Sequence, residues 1–235
     1  MACACGSPRL DKEKLALTLF EVGAIQFDFE KGFTLKSGAT SPVYVNLRLL
    51  RSFPGAMGIV ADIFYAMLFD ACGGQLPNRL ADVPTAITPI VAVMAVKYGI
   101  PMITPRIEKK DHGSGQAIDG VWRSGMNVAL FDDVVTTAAS KLEAAKILEA
   151  AGLMINGVFI FVDREQGGLQ QLQAAGYKAW AAITLPEILG ILLAENKISK
   201  YQHDRVMEYL LGVQQILAQA AAADAEAAAK KAAGK

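Results

Sequence analysis

The sequence predicts an α/β fold in which a parallel sheet is covered by helices on both faces. Two observations carry this. The chain has 235 residues, 53% hydrophobic and 20% charged, enough apolar material for a sizeable core. From about residue 80 onward, short apolar runs alternate with stretches of helical period, the pattern of strands joined by crossover helices.

The elements follow in order. Residues 11–24 place Leu15, Leu19 and Phe20 at helical spacing and predict an amphipathic helix. Residues 33–48 alternate around Lys36-Ser37-Gly38, as in a β-hairpin. Residues 54–71 return to a helical pattern. Strands are then expected at 82–86, 102–104, 127–131, 158–162 and 180–183, with helices at 89–98, 139–151, 168–175, 186–195 and 198–218. The chain divides into an N-terminus of residues 1–10, expected to be flexible, a domain over 11–215, and a tail over 216–235. That tail is almost entirely Ala, Lys, Glu and Asp. It has helix propensity but no large apolar face, and reads as a solvated, fraying helix.

The formal net charge is zero, which argues against a sequence-wide affinity for nucleic acid or anionic membrane. Ser7 to Lys14 carries five charges, unlike the apolar centre of a signal peptide. No run of about 18 uncharged apolar residues stands out, so no membrane-spanning helix is expected. Cys3, Cys5 and Cys72 form neither a disulfide framework nor a zinc spacing. A reducing, cytoplasmic location is expected.

The chemistry concentrates in Val128-Ala-Leu-Phe-Asp-Asp-Val-Val-Thr-Thr-Ala-Ala-Ser140. In open parallel sheets, ligands bind outside the carboxyl ends of the strands. Asp132 and Asp133 follow an apolar strand, and a helix is expected from Ala139 or Ser140. Carboxylates there suit sugar hydroxyls or magnesium. The helix start, with Thr136 and Thr137 beside it, suits a phosphate. A phosphorylated sugar presents both kinds of group, although an acidic strand end before a helix cap would look similar.

Asp-Asp-Val-Val-Thr-Thr resembles the signature of type I phosphoribosyltransferases. Four further blocks narrow the resemblance to orotate phosphoribosyltransferases. These are Phe33-Thr-Leu-Lys-Ser-Gly-Ala-Thr-Ser-Pro-Val-Tyr-Val-Asn-Leu-Arg48, Val83-Pro-Thr-Ala-Ile-Thr-Pro89, Pro105-Arg-Ile-Glu-Lys-Lys-Asp-His-Gly113 and Val162-Asp-Arg-Glu-Gln-Gly-Gly168. The resemblance covers roughly residues 13–213. It implies the type I phosphoribosyltransferase fold, a central parallel sheet flanked by helices. It also implies a small N-terminal hood over residues 11–50, beside residues 164–185. The implied activity is pentosyl transfer in pyrimidine biosynthesis: orotate and phosphoribosyl pyrophosphate (PRPP) give orotidine 5′-phosphate and pyrophosphate. Magnesium is the expected cofactor, carried by PRPP with no direct protein ligand.

The same resemblance assigns roles. Asp132 and Asp133 hold the ribose hydroxyls near the developing positive charge. Thr136, Thr137, Ala138, Ala139 and Ser140 cradle the 5′-phosphate, with Thr136 also near orotate. Lys36 contacts PRPP and orotate, Val43 and Tyr44 flank the orotate ring, and Arg164 pairs with its carboxylate. Residues 107–120 read as a polar loop and correspond to a lid that closes over pyrophosphate and reaches into the partner of a homodimer. Arg106, Lys110 and His112 are its pyrophosphate-binding groups, Lys110 and His112 being catalytic candidates. Conversion of the product to UMP is expected to fall to a separate orotidine 5′-phosphate decarboxylase.

Three positions depart from the family pattern. Ile107 replaces a lysine, Ala138 replaces a glycine, and Asp82 brings a negative charge where glycine is common. Each should weaken phosphate binding by charge or by shape. They keep open a second reading, a weak or silent relative that binds a pyrimidine or nucleotide as a sensor or assembly subunit. If the turn is functional, Ala138 should take a negative φ, leaving the phosphate to Thr136, Thr137 and Ser140.

Overall fold

The computed structural model describes residues 11–34, 40–107 and 116–233. The hood comes first. Helix α1 (Lys12–Glu21) is capped by Asp11, whose side chain accepts from the Lys14 N–H, and it buries Leu15, Ala16 and Leu19. Strand β1 (Ile25–Phe27) pairs antiparallel with β4 (Val43–Val45), and β2 (Phe33–Thr34) pairs antiparallel with β3 (Thr40–Ser41). The expected hairpin is therefore two short ladders, and its turn at residues 36–38 lies outside the described residues. A 3-10 helix (Leu47–Ser52) leads into α2 (Pro54–Ala71).

Next come β5 (Arg79–Asp82), α3 (Thr88–Tyr98), β6 (Met102–Pro105), β7 (Ile118–Asp119), β8 (Asn127–Val135), α4 (Ala139–Ala150), β9 (Met154–Asp163), α5 (Gly168–Ala174), β10 (Ala179–Thr184), α6 (Leu185–Ala194) and α7 (Lys200–Ala233). The main sheet has the order β10-β9-β8-β5-β6-β7. Its first five strands are parallel, and β7 joins antiparallel through Thr104↔Asp119 and Pro105↔Ile118.

Four expectations need correction. The sheet is mixed, because β7 returns the chain along the β6 edge. The strand expected at 82–86 instead covers Arg79–Asp82, since Pro84 cannot donate to a ladder. Strand β8 does not stop at Phe131 but carries the aspartates in its ladder, with Asp132↔Ile160 and Val134↔Val162. Helix α2 is long and apolar enough by length and composition to cross a bilayer. Its Val60, Phe64 and Leu68 are fully buried, however, as in a core helix.

The period of two in the central strands builds a core on each face. Ala129, Phe131, Phe159 and Phe161 face α2, α3, α6 and the hood; Val128, Leu130, Val158 and Ile160 face α4 and α5. Phe64 meets Phe131 edge-on, with ring centroids 5.1 Å apart at 81°. The hood is tied to the body by Lys12 Nζ, 2.5 Å from Glu187 Oε1. Glu187 also completes the capping box of α6, its other oxygen accepting the Thr184 N–H at 2.8 Å. The carboxyl ends of β5, β6, β8, β9 and β10 share one edge of the sheet, and the hood sits beside it.

Candidate active site

Strand β8 delivers Asp132 and Asp133 to that edge. Asp132 is only 4% exposed. One of its oxygens accepts the Asp133 N–H at 2.8 Å, and the other lies 2.7 Å from Lys141 Nζ. Burial pushes the Asp132 carboxyl up to about 7; Lys141 pulls it down and Asp133 pushes it further up. Asp133 is half-buried and accepts the Val134 N–H at 2.8 Å.

Lys141 is absent from the sequence-based site, yet its signal was available. The buried residues of α4 are Lys141, Ala144, Ala145 and Leu148, an inward stripe at helical spacing. A lysine opening an apolar stripe needs a buried partner.

The turn between β8 and α4 holds the phosphate candidates. Thr136 and Ser140 are half-buried, Thr137 and Ala139 exposed, and Ala138 fully buried. Ala138 stands at φ −79° and ψ −5°, the negative φ expected of it. Helix α4 has no side-chain cap bond, so its first turn presents free donors to an anion. One donor is spoken for: the Ala138 N–H donates to Gln171 Oε1 of α5 at 3.0 Å. Sequence reasoning missed Gln171, which lies 33 residues away in the chain.

Strand β9 ends in Asp163, followed by Arg164. Both are 3% exposed, which excludes a surface ion pair. The Asp163 carboxylate accepts the Glu165 N–H at 2.8 Å and shapes the turn. Gly167 takes φ +84° with open space around it, whereas Gly168 is needed for closeness. A Cβ on Gly168 would lie 2.8 Å from the Thr136 carbonyl oxygen and 2.4 Å from Val135 Cγ2. The Gly-Gly pair thus presses the start of α5 onto the turn between β8 and α4.

Arg164 Nη2 donates to Ser41 Oγ at 3.1 Å. Ser41 Oγ donates in turn to the Val43 carbonyl at 2.7 Å. This brings Val43, Tyr44 and Arg164 together. Val43 is buried, and the half-buried Tyr44 ring lies 5.5 Å from Phe33. Burial pushes the Arg164 guanidinium down, and Tyr209 of α7 and Tyr44 act against that. Arg164 Nε is buried with no hydrogen-bond partner among the described residues. An orphaned buried guanidinium donor is costly, and a ligand carboxylate would satisfy it. Ser41 and Tyr209 both act on Arg164 and were not anticipated.

The residues expected to bind pyrophosphate are placed differently. Lys36, Lys110 and His112 lie outside the described residues. Arg106 is engaged by Asp119, its Nε 2.9 Å from both carboxylate oxygens. Ile107 packs on the second core, which accounts for an alkyl side chain there. Asp82 also corrects an expectation: its carboxylate is turned into the protein. It is fully buried and accepts from the hydroxyls of Thr88 and Thr104.

No family model matches the chain. It is 34% identical over 177 residues to the orotate phosphoribosyltransferase of Methanocella arvoryzae, covering 75% of this chain and 97% of that one. It is 34% identical over 198 residues to the uridine 5′-monophosphate synthase of Bos taurus, covering 83% of this chain and 40% of that protein. Against the solved UMP synthase of Leishmania donovani the TM-score is 0.75 at 30% identity, over 85% of this chain and 42% of that chain. The chain thus spans about two fifths of the UMP synthases it matches. With the type I phosphoribosyltransferase architecture in place and an archaeal relative matched over nearly its whole length, the chain belongs to the orotate phosphoribosyltransferase family.

Proposed function

We propose that this chain catalyses the transfer of a phosphoribosyl group from PRPP to orotate in UMP synthesis. The bond from ribose C1 to the pyrophosphate oxygen breaks. The deprotonated ring nitrogen of orotate forms the new bond, and pyrophosphate leaves. The observation that carries the reading is Arg164: buried, bonded to Ser41 and with Nε unpaired among the described residues, it donates its backbone N–H to the Val135 carbonyl, inside the Asp132–Ser140 signature, at 3.2 Å. A planar carboxylate is the natural partner of such a donor.

Asp132 and Asp133 grip the ribose hydroxyls and stabilise positive charge that develops at C1. The first turn of α4, with Thr136, Thr137 and Ser140, takes the 5′-phosphate. Val43 and Tyr44 bound the orotate ring, and Lys36, Lys110 and His112 act on the phosphates by family resemblance. Magnesium would enter with PRPP, without a direct protein ligand, and would neutralise phosphate charge. The pairing of Asp132 with Lys141 supports that assignment, since this acid already has a cation.

The family role of the lid leads us to propose a homodimer in which residues 107–118 complete the neighbouring site. Mixing Lys110→Ala with Asp133→Asn subunits should then restore activity; no recovery would mean self-contained sites. The cysteine content supports a reducing, cytoplasmic setting, with a separate decarboxylase acting next.

A second reading, the weak or silent relative, draws on two contacts. Asp119 holds Arg106 and Gln171 holds the Ala138 N–H, so two candidate PRPP contacts are satisfied internally. Assaying orotidine 5′-phosphate formation from orotate, PRPP and magnesium separates the readings. Turnover supports the enzyme; PRPP or pyrimidine binding without turnover supports the silent relative.

A further inference from the structure

We propose that Lys141 is a positioning residue that holds the Asp132 carboxylate in place for the ribose and favours its charged form, clipping the phosphate helix α4 to the acidic end of β8. The geometry is complete. An ammonium has three donors, and three acceptors surround this one. Lys141 Nζ lies 2.7 Å from Asp132 Oδ2, 2.7 Å from the Val134 carbonyl and 3.4 Å from Ser140 Oγ. The Lys141 and Asp132 side chains are 6% and 5% exposed. Two of the three acceptors belong to the strand that carries the ribose grip; the third belongs to the turn that carries the phosphate site.

Lys141 stands where a lysine is disfavoured twice over. It lies in the first turn of α4, at the positive end of the helix dipole, and it is buried. Its length lets the ammonium pass beneath the turn to the strand. The charged groups that act on Asp132 are Lys141 from α4 and Asp133 from its own strand. Strand β9 sets Ile160 opposite Asp132. Strand β5 ends at Asp82, which is turned to Thr88 and Thr104. Lys141 is therefore the cation that acts most strongly on Asp132. Without it, burial and Asp133 both favour the protonated acid, which accepts hydroxyl donors poorly and carries no charge to offset a cation at C1.

The inference rests on the ribose role proposed for Asp132, and its test keeps the two separable. Lys141→Met should lower kcat/KM for PRPP at neutral pH by about tenfold or more, since each unit of upward shift cuts the anion fraction about tenfold. The loss should shrink as pH rises, and Lys141→Arg, which keeps the charge, should recover most of it. Lys141→Gln keeps a donor for Val134 and stands in if the methionine variant does not fold. A merely structural role would give a pH-independent loss, or one shared by orotate and PRPP; either result overturns the inference. Carbon NMR titration of the Asp132 carboxyl needs no turnover. Its midpoint should be higher in the variant, and an unmoved midpoint contradicts the proposal even if the chain makes no orotidine 5′-phosphate. Turnover by the wild type with superimposable pH profiles would sink this inference and leave the proposed function standing.

Discussion

Arg164 and Ser41 lie 123 residues apart in the chain and meet at 3.1 Å, joining the end of β9 to the hood. This contact joins two separate sequence blocks. Arg164→Ala should raise the orotate KM far more than the PRPP KM. A desolvated carboxylate–guanidinium pair is worth about 2–4 kcal/mol, or roughly 30-fold to 1000-fold. Ser41→Ala should show the same bias at a smaller size, since a hydrogen bond to a charged group contributes about 1.5–3 kcal/mol. Steady-state kinetics with each substrate varied decides the matter; equal effects on both would place Arg164 outside the base pocket.

Gly168 should tolerate no side chain. A Cβ would lie 2.8 Å from the Thr136 carbonyl oxygen, and backbone cannot swing aside as a side chain can. Gly168→Ala should cost about 1–3 kcal/mol, the usual range for overpacking, and raise the PRPP KM because Thr136 is displaced. Gly167→Ala has open space but φ +84°, so its cost, about 1–2 kcal/mol, should fall on stability alone. Thermal unfolding and PRPP titration of both variants test the distinction.

Asp82 makes stability depend on pH. Burial raises its pKa above 3.8, with Thr88 and Thr104 opposing. A carboxyl raised in the folded state binds protons more tightly there than when unfolded. Its contribution is therefore present in acid and is lost as pH rises through the folded value. Asp82→Asn removes that penalty while the threonine hydroxyls turn to accept. The variant should match the wild type near pH 4 and unfold at a progressively higher temperature than the wild type as pH rises from there. At this chain length, each kcal/mol corresponds to about 2–4 °C. A variant less stable than the wild type at neutral pH would show that the threonines hold a charged carboxylate well.

Ala138→Gly should not improve the phosphate turn. Alanine already sits at φ −79°, where glycine gains nothing and gives more entropy to the unfolded chain. A loss of about 0.4–1 kcal/mol in stability with turnover unchanged is expected. Gln171→Ala frees the Ala138 N–H and should lower the PRPP KM. Equilibrium unfolding and PRPP kinetics test both, and a large gain in turnover from Ala138→Gly would favour a decayed site.

Much of this was legible in the sequence because it depends on local pattern. The apolar runs marked the parallel strands, and the Asp132–Ser140 stretch marked their carboxyl edge. Strand β7 was not legible: two residues carry too little periodicity to announce a pairing with β6. The end of β8 was misread because a pair of aspartates looks like a strand terminus, whereas the ladder with β9 carries the strand on to Val135. Gln171 and Ser41 act across 33 and 123 residues, and nothing local signals such partners. Lys141 was legible in principle, from its place in the buried stripe of α4. Asp82 was misjudged because its charge was considered without the Thr88 and Thr104 hydroxyls that enclose it.

The measurement closest to the central claim is the formation of orotidine 5′-phosphate by the purified chain. Orotate, PRPP and magnesium are supplied, and product and released pyrophosphate are quantified together. One pyrophosphate per orotidine 5′-phosphate is expected, with saturation in both substrates and loss of orotate saturation in Arg164→Ala. PRPP bound without either product, or turnover of another base in preference to orotate, would contradict the central claim.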